Sequence, residues 1–298
     1  MAIDQEVGEV NIRAQFFDGV VKGFATASYK FKQAVNISPT SAWKNFFYRE
    51  SPTALAGATG NTIEGIPRGA EFPQAVVQWE RIQAVIKKYG LEDNIHWEDI
   101  LTSDVDVQER TLFRIAEGVT KAVDDEIWDV LTESRSPSAI QSVTLVTGGR
   151  GSWNETSAAI IDDLLEAKQK MAEQNYDVSN TMLFISPRDY RSIMKHLTDK
   201  GAQFPSLSTD IANNGVVGTL AGTTLVVSNS VTTSYALMVI PKRVGTWKEL
   251  VPLQTTTKED PYKSVTIRAV EMGTTQLTDP KAAVLIIGTQ HGAGIDKP

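Results

Sequence analysis

The chain has no cysteine among its 298 residues. That excludes disulfide staples and any zinc site built on thiolates, and it fits an intracellular life or an assembly that must not depend on redox state. Histidine is nearly as scarce. His96, His196 and His291 stand far apart, and no H-E-x-x-H spacing accompanies them. Basic residues do not predominate either: 29 Lys and Arg face 36 Asp and Glu, a formal charge of −7. This argues against a general nucleic-acid binder, which needs a basic face to neutralise phosphates, but leaves room for a local basic patch. Nowhere do apolar residues run for the length of a membrane span, so no transmembrane helix is expected. The opening MAIDQEVGEVNIRAQFF carries Asp4, Glu6 and Glu9 and no apolar run. It reads as no signal peptide, and the expected product is soluble and cytoplasmic.

Complete catalytic motifs are also missing. GATGNTIEGIPRG, residues 57–69, spaces Gly60 and Gly65 like a phosphate-cradling loop. Such a loop needs Lys and Ser/Thr after its second glycine, to reach the phosphates and Mg²⁺. Here Ile66 and Pro67 stand there, and Pro67 removes a backbone N–H that the cradle uses. Ser192-Ile193-Met194-Lys195 spells the S-x-x-K of a serine acylase, without the S-D-N and K-T-G elements that such enzymes require. Both residues are expected on the outer face of an ordinary helix. There is no G-x-S-x-G elbow and no G-x-G-x-x-G fingerprint. The acidic runs Asp124-Asp125-Glu126 and Asp162-Asp163 are expected to lie on solvated helix faces. No catalytic residue, cofactor site or metal site is therefore assigned.

What is present is an ordinary globular composition, 41% apolar and 22% charged. Residues 1–50 are rich in aromatics, including Phe16, Phe17, Phe24, Tyr29, Phe31, Trp43, Phe46, Phe47 and Tyr48. They suit either a layer of core or an arm whose aromatics bury against a neighbouring subunit. A Gly- and Pro-rich stretch follows over 51–73, long for a simple connection. The next run, QAVVQWERIQAVIKKYGLED, fits neither strand nor helix period cleanly, and both readings stay open.

The clearest element is a helix from about Asp106 to Glu133. Leu112, Ile115, Ala116, Val119, Val123, Ile127, Val130 and Leu131 form one apolar stripe along it. At 1.5 Å per residue it would span ~40 Å, a structural spine. A second helix is expected from about Thr156. NTMLFISP is a short buried strand, and Pro187 opens a third helix at its first turn. GTLAGTTLVVSNSV reads as strand, glycine turn, strand. YALMVIPKR and the β-runs between 251 and 288 complete an α+β pattern, with turns near Asp260-Pro261 and Asp279-Pro280.

In that order the elements resemble the major capsid proteins of tailed bacteriophages of the Hong Kong 97 type. The spine helix with AVDDEIWDVL is similar to that family's spine. IIDDLLEAKQKMAEQNYDVSNTMLFISPRDYRSIMKHL resembles its helix–strand–P-x-x-Y-x-x-L run, with Pro187, Tyr190 and Ile193 at those positions. VVGTLAGTTLVVSNSV resembles the following G-x-L-x-G-x-P-V-V-x-S turn, with Thr224 where many members have proline. VTIRAVEMGTTQLTDPKAAVLI is similar to the terminal strands. The match runs over about 105–290.

The resemblance implies an N-terminal arm over 1–50 and an extended loop with flanking strands over 51–100. It implies a peripheral domain over 101–145 and 245–272, containing the spine helix, and an axial domain over 146–244 and 273–298. It further implies a virion shell of hexamers and pentamers around a phage genome, assembled in the host cytoplasm. Scaffolding, portal and decoration proteins are the implied partners, with non-specific proximity to DNA and no membrane. No long helical scaffolding domain precedes the arm, which points to a separate scaffolding protein or to assembly without one, and leaves self-cleavage unsupported.

The implied intersubunit contacts are Phe16, Phe17, Trp43, Phe46 and Phe47 of the arm, with Gly60, Glu64, Gly65, Pro67, Arg68 and Glu71 of the loop. The loop is expected to be ordered mainly by another copy. Other readings are the shell of a cellular nanocompartment of the encapsulin kind, a soluble α+β enzyme in which His96 or His196 meets carboxylates in a pocket, and another phage structural component such as a decoration or tail protein.

Overall fold

A computed structural model describes residues 29–50, 68–69, 79–96, 98, 106–135, 138–145, 151–199 and 218–291. Two sheets and a separate ribbon carry the architecture. The first sheet has strand order β1 (Asn36–Pro39), β10 (Gly245–Asp260), β11 (Ser264–Leu277), β4 (Lys87–His96). The second runs β5 (Gln141–Thr144), β12 (Ala283–Ile287), β9 (Tyr235–Val239), β6 (Thr181–Ile185), β8 (Thr223–Val227), β7 (Thr219–Leu220). Among the described residues, strands β2 (Lys44–Glu50) and β3 (Trp79–Val85) pair only with each other. From Trp79 onward, the run left open between helix and strand is thus strand on both sides of Ile86, and its first five residues lie outside the described residues. Among the described residues the α-helices that complete the fold are α1 (Asp106–Leu131), α2 (Ile160–Ala172) and α3 (Pro187–Asp199).

The second sheet explains the unbroken apolar runs TMLFI, YALMV and AVLII. It is covered on both faces, so both sets of alternating side chains must be apolar. Leu183, Ile185, Ala236, Met238, Val284 and Ile286 point to one face, where they meet Ile160, Leu164 and Met171 of α2 and Ile193 and Leu197 of α3. Phe184, Leu237, Val239 and Leu285 point to the other, into a core shared with α1 and the first sheet. The apolar stripe of α1 is buried from Leu112 to Leu131 as its spacing predicts, save for half-buried Val130, and Trp128 joins it.

Local sequence sets the element ends. Helix α3 starts at Pro187, and Ser186 caps it: its Oγ accepts the Asp189 N–H at 3.1 Å and donates to the Asp189 carboxylate at 2.7 Å. Helix α2 starts at Ile160, four residues later than expected, because 151–158 is held in turns that bridge Gly151 to Ala158. Strands β7 and β8 are joined by Ala221 and Gly222, at φ 50° and 70°, the left-handed pair that a tight hairpin demands. Pro252 lies in β10 where the register with β11 slips between Val251 and Gln254, a bulge that spares it a ladder hydrogen bond.

The segment 29–35 joins the two sheets. Phe31 is fully buried; its ring stacks on Phe184 of the second sheet at 4.3 Å and meets Trp128 of α1 at 5.7 Å. Tyr29 donates its hydroxyl hydrogen bond to buried Glu271 of β11, and Lys32 Nζ lies 2.5 Å from the same carboxylate. Lys32 also sits over the Tyr29 ring at 3.8 Å. Burial and the Glu271 carboxylate push the Tyr29 hydroxyl pKa well up, so Tyr29 remains a donor.

Two acidic residues expected on solvated faces are buried instead. Asp124 accepts the backbone N–H groups of Lys30 at 2.9 Å and Phe31 at 3.2 Å, so the spine helix caps the first turn of this segment. Asp163 accepts the indole N–H of Trp153 at 3.0 Å. Each carboxylate goes inside because it has a donor waiting there, while Asp125 and Asp162 next to them stay at least partly open to solvent.

Burial raises Asp124 to about 6, against the opposing pull of the two N–H groups and Lys32. A carboxyl raised in the folded state binds a proton on folding between its unfolded and folded pKa values. Stability from this group is therefore fullest below about pH 4 and falls as pH rises through about 6, by about 3 kcal/mol in total. Asp124→Asn is expected to flatten that part of the profile. Urea midpoints of both proteins from pH 4 to 7 check this: the gap between them should change across the window, and a constant gap contradicts it.

Candidate assembly surface

The β2–β3 ribbon is antiparallel, with Phe46 opposite Gln83, Tyr48 opposite Arg81 and Glu50 opposite Trp79. Period-two alternation sorts its side chains onto two faces. Ala84 is buried, and Asn45, Phe47, Arg49 and Ile82 are half-buried on the inner face. The ribbon is tied to the body by Arg49, which bridges Glu80 at 2.9 Å and Glu133 at 3.3 Å. Trp43, just ahead of β2, accepts the Ile86 N–H on its backbone carbonyl at 3.2 Å.

Glu133 follows the end of α1, at the start of a run with Glu133, Ser134 and Arg135 all at positive φ. Burial alone would raise its carboxyl. The backbone N–H groups of Ala139, Ser138 and Ile140, with Arg49, hold it below its ordinary value. One charged side chain thus fixes both the turn after the spine and the root of the ribbon.

The outer face is different. Phe46 is 53% exposed, Tyr48 59%, Trp79 57% and Val85 42%. The Arg81 guanidinium lies 4.1 Å from the centre of the Phe46 ring, stiffening the patch without covering it. A two-stranded ribbon is marginal by itself in water, and a clustered apolar face of this kind marks an interaction surface.

Of the residues the sequence singled out, Trp43 (53% exposed) and Phe46 lie on this ribbon or at its root, and Phe47 turns toward the body. Arg68 is exposed beside Gly69, whose φ of +87° makes a turn. Phe16, Phe17, Gly60, Glu64, Gly65, Pro67 and Glu71 lie outside the described residues, as does the expectation that a neighbouring copy orders this loop. Tyr48, Trp79 and Val85 were not singled out. Their signal was the alternation itself, legible once 79–85 is taken as strand.

The residues with catalytic spelling lie elsewhere. Ser192 Oγ donates to the Arg188 carbonyl at 3.2 Å, a bond within α3, and Lys195 is exposed on that helix. His96 is on β4, His196 on α3, and His291 follows β12 with its Nδ1 3.6 Å from Glu155. Among the described residues no three His, Asp or Glu side chains are placed to hold a metal ion. Among them, too, no helix is long and apolar enough to cross a membrane.

No curated protein matches the chain. Solved structures do match, at low identity and over nearly full length. The capsid of the cyanophage P-SCSP1u superimposes with a TM-score of 0.64 at 13% identity, covering 87% of this chain and 88% of that one. Mycobacterium phage Che8 gives 0.63 at 12%, covering 88% and 92%. A virus-like particle from Pyrococcus furiosus gives 0.60 at 11%, covering 92% and 99%. The fold is thus the Hong Kong 97 type. The sequence profile of phage capsid proteins matches residues 79–286, well over half of the chain. The chain is a member of the phage capsid protein family, a shell-forming structural protein.

Proposed function

We propose that this protein is the major shell subunit of a phage virion, assembling through hexamers and pentamers into an icosahedral container for the genome and carrying out no catalysis. The observation that carries this reading is the family membership over 79–286, joined to an exposed aromatic ribbon that a lone chain leaves in water. In this reading residues 1–50 act as the arm and 51–100 as the extended loop, with the β2–β3 ribbon at its root. The first sheet and α1 form the peripheral domain, and the second sheet with α2 and α3 forms the axial domain. Trp43 and Phe46, with Tyr48 and Trp79, contact the adjacent copy, as do the loop residues from Gly60 to Glu71. Assembly takes place in the host cytoplasm, with scaffolding, portal and decoration proteins as candidate partners.

Shells of this kind do not need tight pairs. Each contact repeats across the whole particle, so avidity holds it closed while weak single contacts let errors dissociate. The experiment is direct: purify the chain alone and with proteins encoded beside it, and image both by negative stain. Capsomers, tubes or shells are expected; monomers under every condition contradict the reading. The likeness to a virus-like particle favours a second reading, a cellular compartment shell. Particles holding one co-purifying enzyme and no DNA would select it.

A further inference from the structure

A cleft of about 760 Å³ lies between α3 and the loop 153–156. Three cations line it from one helix: Arg188, Arg191 and Lys195. At 100° per residue these positions fall within roughly 60° of one another, so α3 turns a single basic edge into the cleft. Its opposite edge carries Asp189, Ile193 and Leu197 into the core, which fixes the direction of the basic one. All three cations are in contact with solvent, and among the described residues none has a carboxylate within ion-pair distance. In a chain of net charge −7, three cations gathered on one helix edge are a local excess of positive charge.

The remaining walls are polar. Asn154, Thr156 and Gln290 offer hydrogen bonds, and Gln290 is held in place by donating to Asp189 at 2.7 Å and to Ser192 at 3.1 Å. Glu155 and Asp199 also border the cleft and subtract from its charge. Trp153, the one large apolar side chain there, is already buried, at 1% exposure. A peptide partner would find no apolar anchor, which is what usually holds peptides in grooves. A regular polyanion needs none. From Arg188 to Lys195 the helix rises about 10 Å, the axial length over which one DNA strand presents about three phosphates. Arginine's planar fork suits phosphate oxygens, and contacts of this kind position a backbone without reading bases.

We propose that this cleft holds the sugar–phosphate backbone of nucleic acid independently of sequence and, resting on the shell reading above, that it faces the packaged genome. Neutralising three phosphates releases their counterions, so affinity should fall with salt along a log–log slope of about −2.7, roughly 40-fold between 50 and 200 mM. The test is fluorescence anisotropy of the full chain with two labelled 20-base-pair duplexes of unrelated sequence across that salt range.

Both duplexes are expected to bind alike. The triple variant Arg188→Gln, Arg191→Gln, Lys195→Gln should lose most of the slope while keeping the thermal melt of the unaltered protein. Replacing the two arginines by lysine should keep the slope. An unchanged slope in the glutamine variant overturns the proposal. So does displacement of DNA by a polyglutamate peptide at equal charge, which would make the partner an acidic protein segment. Assembly is read separately by imaging. A chain that forms shells but keeps its slope in the glutamine variant loses only the cleft, whereas a chain that forms none loses the shell reading whatever its DNA binding.

Discussion

Changing Phe46→Ser and Trp79→Ser together is expected to leave a folded chain that no longer closes into shells. Both side chains are more than half exposed on the outer face of the ribbon and take no part in either core, so the fold should not notice their loss. Exposed substitutions of that kind usually change stability by no more than about 0.5 kcal/mol. At an interface the same residues weigh far more. Aromatic anchors that become fully covered commonly cost about 2 kcal/mol or more each when truncated. Two of them amount to about 4 kcal/mol per contact, close to a thousandfold in the pairwise equilibrium. Because a shell repeats the contact on every subunit, avidity turns that loss into failure of closure. Sedimentation velocity should show small species only, with the far-ultraviolet dichroism and melt of the unaltered chain. Normal particles from the double variant would remove the ribbon from the interface.

Phe31→Ala should do the opposite: it should lower stability sharply, whatever the state of assembly. Phe31 lies twelve residues before Trp43 and in the same aromatic-rich segment, yet it is fully buried between Phe184 and Trp128. Truncating a core phenylalanine typically costs 3–5 kcal/mol, through lost burial and the cavity left behind. This one also removes the contact by which the segment bridges α1 and the second sheet. Trp43→Ala, on the exposed side, is the matched control and should change stability by no more than about 0.5 kcal/mol. Denaturant midpoints of the two variants should separate clearly. Equal midpoints would mean that the segment docks weakly.

The pair shows where the sequence was legible and where it stopped. The spine helix could be read because its apolar stripe repeats over about five turns, and a period that long admits one interpretation. TMLFI, YALMV and AVLII could be read as buried strands for a related reason, since only a sheet covered on both faces tolerates them. The aromatics of residues 1–50 could not be divided between core and interface. Phe31 and Phe46 are chemically alike, and what separates them is tertiary: a buried Asp124 that caps one segment, and a ribbon whose outer face leaves Phe46, Tyr48 and Trp79 exposed.

The carboxylates failed for the converse reason. Asp124 and Asp163 resemble their solvated neighbours until the donors at Lys30, Phe31 and Trp153 are in place, and those donors come from distant or irregular parts of the chain. At the candidate assembly surface, Trp43 and Phe46 were visible as aromatics. Tyr48 was visible too but was not assigned to the surface, and Trp79 became visible only with strand register, because the run 74–93 mixes both periods. The basic edge of α3 was spelled out as Arg188, Arg191 and Lys195, but it was hidden by an acidic total.

One reconstruction tests the central claim most directly. Particles assembled from the unaltered chain, imaged at a resolution that separates strands, should show the β2–β3 ribbon seated on an adjacent copy, with Phe46, Tyr48 and Trp79 covered. Closed particles in which that face stays in solvent would contradict the account.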